Sequence, residues 1–156
     1  MKKLKNNLIL YLIYCIVLFA LLTIAMTVEI STDGIRIDFA NIFNFIDYYT
    51  ILFVLAICFL VLICTKSLKS LKNAFVFLWT KQHYSLQQCK ASILSIKFTM
   101  IGALMGGCIL TISQAINMRF YITLSLLPML YVVIICALML PIHILLKREC
   151  YHLETE

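Results

Sequence analysis

Long uncharged apolar runs alternate with short charged stretches along this chain. After Lys2, Lys3 and Lys5, residues 8–26 run for nineteen positions without a charge. Residues 48–65, 98–116 and 120–146 repeat the pattern. A helix needs about 20 apolar residues to cross a bilayer, so the pattern predicts four transmembrane spans. A signal peptide is the competing reading of the first run. Its apolar core is usually about 7–15 residues, so a retained span is the expectation.

The third run carries a second pattern. Ser92, Ser95, Thr99, Gly102, Gly106 and Ser113 recur at steps of three, four and seven, which places small and hydroxylated residues on one helical stripe. Ser85-Leu86-Gln87-Gln88 fits a capping box, with Tyr84 and Cys89 in staple positions. A helix starting there and reaching Ile116 would be about 46 Å long. That exceeds a bilayer core of about 30 Å, so its first turns should project into the cytoplasm, leaving residues 98–116 in the membrane.

The connecting stretches are unequal. Residues 27–47 hold Glu29, Asp33, Asp38 and Asp47 against Arg36 alone. Ser31-Thr32-Asp33-Gly34 reads as a turn. Asp38 is a candidate N-cap for a surface helix over Phe39, Ile42, Phe43 and Ile46, with an irregular loop holding buried aromatics as the alternative. Residues 66–97 start with Lys66, Lys69 and Lys72, and Leu68, Leu71, Phe75 and Leu78 mark the apolar face of an amphipathic helix. Trp79, Lys81 and Tyr84 suit an inner interface. This basic loop is expected either to attract anionic lipids or to pack with its lysines solvated. In residues 120–146, Pro128 and Pro141 are expected to kink the helix and free backbone carbonyls. Residues 147–156 read as a short polar tail.

Charge then sets orientation. Of the thirteen Lys and Arg, eleven fall on one side if both termini are cytoplasmic. The positive-inside rule therefore predicts both ends inside. The fold expected is an all-α integral protein of the inner membrane, a single membrane domain with four spans, an amphipathic cytoplasmic helix between spans two and three, and a long third helix. Composition agrees: 63% hydrophobic, 13% charged, with a mean hydropathy of +1.02. The net charge of +6 follows the span ends, so topology explains it and no nucleic-acid partner is expected. Seven cysteines form no C-x-x-C pair, and none lies in the acidic loop, so no disulfide framework is implied.

Chemistry-bearing motifs are missing. The chain has no G-x-x-x-x-G-K, no H-E-x-x-H, no paired carboxylates and no metal-type Cys/His cluster, so neither an enzyme nor a cofactor or metal protein is expected. His83 and His152 read as solvated or interfacial. His143 is either a group titrating near neutral pH or a polar interfacial side chain. No Asp, Glu, Lys or Arg lies inside any of the four runs. A proton-driven transporter usually keeps such a group in its own spans, because a central charge is retained at a cost and for function. The remaining polar groups are Thr99, Thr111, Ser113 and Gln114 on the third run and Thr123, Ser125 and Tyr131 on the fourth. Thr99, Thr111, Thr123, Tyr131 and Pro141 are the candidate ion pathway. Ser95, Gly102, Gly106 and Gly107 are the candidate helix-packing positions, since small residues four apart let helices approach closely.

Three stretches resemble the flagellar-stator proton-channel family (MotA, TolQ, ExbB). Phe45-Ile46-Asp47-Tyr48-Tyr49-Thr50-Ile51-Leu52 is similar to that family's approach to its second span. Residues 85–117, with Gly102 and Gly106-Gly107, resemble its long third helix. Leu130-Tyr131 through Leu140-Pro141-Ile142 to Lys147-Arg148 resembles the fourth. The resemblance implies a homo-oligomer around a single-span partner (MotB/TolR/ExbD-like) whose intramembrane Asp carries the ion, proton or sodium. Two departures stand out: Pro128 occupies the family's Thr/Ser position, and no large rotor-engaging cytoplasmic region separates the spans. The leading reading is therefore a stator-like channel subunit that conducts only with its partner and couples ion flow to mechanical or envelope work. The alternatives are a non-conducting four-helix assembly, regulatory or immunity factor and, against the missing intramembrane charge, a small transporter.

Overall fold

The computed structural model describes residues 2–31, 34–37, 46–79, 85–117 and 126–155. Among them are five helices and one hairpin: α1 (Lys2–Thr27), β1 (Val28–Ser31), β2 (Gly34–Ile37), α2 (Tyr48–Cys64), α3 (Leu68–Trp79), α4 (Leu86–Asn117) and α5 (Leu127–Thr155). Three helices are long and apolar enough to cross a membrane, over Leu8–Thr27, Leu86–Ile116 and Leu127–Thr155. These point to a membrane protein. A fourth crossing is available if α2 spans within its bent pair with α3. At 17 residues α2 is roughly 25 Å long, the short end of what a span requires.

The architecture is helical as expected, and a short hairpin in the stretch after α1 is an addition to it. β1 and β2 pair antiparallel, with Val28 opposite Ile37, Glu29 opposite Arg36 and Ser31 opposite Gly34. Apolar and polar residues alternate in both strands, and the intervening pair ends in Asp33 before Gly34, a strand-turn-strand pattern. The surface helix expected after Asp38 lies outside the described residues.

Asp47 starts α2. Its Oδ1 accepts from the amides of Tyr49 and Thr50, at 3.1 and 3.4 Å, and its other oxygen accepts from the Thr50 hydroxyl. These bonds satisfy amides that have no partner within the helix. The far end of α2 closes in a Schellman motif: Ser67 N–H donates to Leu62 O at 2.9 Å and Lys66 N–H to Ile63 O at 3.0 Å. Lys66 takes the left-handed conformation there, φ 52°, where glycine is usual. The chain leaves this turn bent by 108°, so α3 lies across the end of the bundle rather than continuing α2.

One face of α3 packs inward, but not the face expected. Ala74, Phe77 and Leu78 are buried and Leu71 is half-buried, whereas Leu68 and Phe75 are exposed. The inward face follows 71, 74 and 78, the same helical period displaced by a fraction of a turn.

Helix α4 starts on the capping box. Ser85 N–H donates to Gln88 Oε1 and Gln88 N–H to Ser85 Oγ, each at 3.3 Å. It then runs unbroken for 32 residues and packs against α2, α3 and α5. An inner core joins Ala74, Phe77 and Leu78 of α3 to Cys89 and Ile96 of α4 and to Ile142, Leu146 and Cys150 of α5. A second core, deeper along the bundle, joins Val54 and Cys58 of α2, Ala103 of α4 and Val132 of α5.

Helix α5 departs from expectation at Pro128 and at its C-terminal end. The start expected at Phe120 lies outside the described residues, within 118–125. Pro128 is buried in the first turn, where a missing amide costs no helical bond, so it starts the helix rather than kinking it. At the other end the helix does not stop at Leu146. It continues to Thr155 because Cys150 and Leu153 extend the inner face onto the inner core, and Glu154 pairs with Lys90 at 2.8 Å. The expected polar tail is a helical one.

Candidate functional site

The stripe of small residues on α4 lies between helices. Ser92, Ser95, Thr99, Gly102 and Gly106 are buried, and Ser113 is exposed. Beyond Gly106 the buried side turns to Gly107, which faces α5. A Cβ added at Gly102 would lie 3.0 Å from the Cα of Cys58 on α2. One at Gly106 would lie 3.3 Å from Val54 Cα and Ile57 Cβ, and one at Gly107 only 2.2 Å from Val132 Cγ2 on α5. The three glycines thus allow α4 to touch α2 on one side and α5 on the other, the close approach that drives helix association in lipid.

The hydroxyls on the stripe are already partnered. Ser95 Oγ donates to Ser92 O at 2.8 Å and Thr99 Oγ1 to Ser95 O at 2.9 Å. Ser92 Oγ donates to Ser70 O of α3 at 3.2 Å, and Cys58 Sγ to Thr99 O at 3.6 Å. Bonds of this kind let a hydroxyl sit in an apolar contact without desolvation cost.

The candidate pathway residues are dispersed. Thr99 and Thr111 are twelve positions apart on one helix, about 18 Å along its axis. Between them lie Gly102, Ala103, Gly106 and Gly107, closed against Val54, Cys58 and Val132. Tyr131 OH accepts the Asp47 amide at 2.8 Å and so joins α5 to the start of α2. Thr123 lies outside the described residues. Thr111 Oγ1 and Gln114 Oε1, one turn apart on α4, are buried and without a hydrogen-bond partner among the described residues, as is His143 Nε2 on α5.

Pro141 belongs to a different feature. It lies inside α5 and brings no amide, so the carbonyl of Ala137, four residues before it, loses its helical donor. Tyr14 of α1 supplies one: its hydroxyl donates to Ala137 O at 3.0 Å, and Tyr11 OH reaches Leu138 O at 3.5 Å. Sequence reasoning anticipated freed carbonyls but not their donors. Beside these bonds a cavity of about 430 Å³ opens between α1 and α5, lined by Leu10, Ile13, Val17, Pro141, Ile144 and Leu145. The rings of Tyr11 and Tyr14 complete the lining, and the walls are almost wholly apolar.

Among the described residues, no three His, Cys, Asp or Glu side chains gather as a metal site. All seven cysteines are free thiols. No protein-family model matches the chain, and neither known curated proteins nor solved structures give a match, so the stator resemblance rests on the sequence patterns alone.

Proposed function

We propose that this chain is a four-span protein of the cytoplasmic membrane, both ends inside, which works by binding and assembly rather than by chemistry or by conducting ions itself. One observation carries the reading: from Ser92 to Gly107 the small, hydroxylated face of α4 is consumed by contacts within the chain. Its glycines seat α2 and α5, and its hydroxyls at 92, 95 and 99 bond backbone carbonyls. No Asp, Glu, Lys or Arg lies within residues 8–26, 48–65, 98–116 or 120–146 to carry a proton. Reconstitution of the purified chain into vesicles with a pH-sensitive dye inside tests this. The chain alone should leave a proton gradient intact, and dissipation of the gradient above that of protein-free vesicles would refute it.

A second reading, the stator-like channel subunit, is favoured by Thr111 and Gln114. Two unsatisfied buried polar atoms, one turn apart near the outer end of α4, are what a partner's span would satisfy. Under that reading a single-span protein with a membrane aspartate copurifies as a homo-oligomeric complex, and Thr111→Val with Gln114→Leu releases it. Copurification that survives both substitutions would leave this reading without support.

A further inference from the structure

A groove runs between α1 and α5 beside the tyrosine bonds. It is apolar along its length, with Leu10, Ile13 and Val17 on one wall and Pro141, Ile144 and Leu145 on the other. The two helices run antiparallel, because Leu8 packs on the inner core with Ile142 and Leu146 while Tyr14 meets Ala137 further out. The start of α1 is therefore level with the stretch of α5 just beyond Leu146, and both stretches are basic in sequence. Lys147 and Arg148 are exposed within about one turn of Ile144 and Leu145. Lys2, Lys3 and Lys5 belong to the first turns of α1. No acidic residue lies in α1, and the first in α5 is Glu149, beyond the two cations.

An apolar slot ending in cations fits a molecule with a hydrocarbon chain and an anionic head. We infer that the groove binds one acyl chain of an anionic phospholipid, its phosphate held at Lys147 and Arg148. The tyrosine bonds to Ala137 and Leu138 fix the slot by holding α1 against α5. They also turn both hydroxyls away from the acyl chain, leaving ring faces and aliphatic side chains to contact it. The volume of about 430 Å³ falls within the range of ligand sites, about 300–1,000 Å³. Cations near a membrane surface favour anionic lipid by about fivefold each, so two should give a marked preference.

This inference rests on the membrane placement proposed above. The test uses the full chain, extracted in detergent, delipidated and titrated with phosphatidylglycerol or phosphatidylcholine of identical acyl chains, with bound lipid counted by native mass spectrometry. Phosphatidylglycerol should be retained at least about fivefold more strongly. Lys147→Gln with Arg148→Gln, both exposed, should bring it down to the phosphatidylcholine level. Val17→Trp or Ile144→Trp, which fill the slot, should remove the retained lipid. Equal retention of the two lipids, or retention unchanged by the glutamine pair, would overturn the inference. So would a slot-filling variant that alters particle size and leaves lipid content unchanged, since the groove would then seat a second copy. Recovery of the chain from the soluble fraction without detergent would instead refute the membrane placement.

Discussion

Tyr14 and Ala137 stand 123 residues apart, and the hydroxyl of one donates to the carbonyl of the other at 3.0 Å. Ala137 needs this donor because Pro141, four residues on, has no amide to give. A helix break is thereby turned into a tie between the first and last helices. In a bilayer no water replaces a lost donor, so this bond matters more than a surface one.

Tyr14→Phe keeps the ring and removes the donor. Leaving a buried carbonyl unpaired costs about 1–3 kcal/mol, and thermal unfolding in detergent should show a loss of that order. Pro141→Ala restores an amide within α5, so Tyr14→Phe made in that background should cost clearly less. Equal losses in the two backgrounds would show that the hydroxyl does not serve the proline gap.

Lys66 closes α2 at φ 52°, a conformation that costs an L-residue about 1–2 kcal/mol. Lys66→Gly should raise stability by about 0.5–1 kcal/mol, whereas Lys66→Ala, which keeps the strain, should not. Denaturation midpoints of the two variants check the sign.

The capping box at Ser85 and Gln88 predicts a local effect. Ser85→Ala should destabilise by about 1 kcal/mol, and hydrogen exchange should rise at the first amides of α4 while the amides around Gly102 stay protected. Uniformly faster exchange along α4 would contradict a local cap.

How much of this the sequence disclosed follows from distance along the chain. The capping box, the start of α4 and the 3.6-residue stripe are local, and residues 85–106 sit as the pattern predicts. The hairpin is also written locally, in the alternation of Val28, Ile30, Ile35 and Ile37 around Asp33-Gly34, but each strand is only four residues long, too short for period two to stand out beside the loop's charges. The helical tail was marked by Cys150 and Leu153 continuing the face of Ile142 and Leu146. What could not be read is which partner each polar group finds. Pro141 announces an orphan carbonyl and says nothing of Tyr14. Thr99 and Thr111 look alike in sequence, yet one bonds Ser95 O and the other is buried without a partner.

The central claim is that the small residues of α4, the stripe and Gly107 beside it, are internal contacts, and Gly107 with Val132 tests it most directly. A methyl at Gly107 would lie 2.2 Å from Val132 Cγ2, and Val132 is buried with a stiff side chain. Gly107→Ala should cost about 1–3 kcal/mol in thermal unfolding, as overpacking does. Val132→Ala made together with it removes the colliding methyl and should recover much of that loss, a coupling that a double-mutant cycle measures. A Gly107→Ala protein as stable as the parent, or a loss that Val132→Ala does not reduce, would contradict the account.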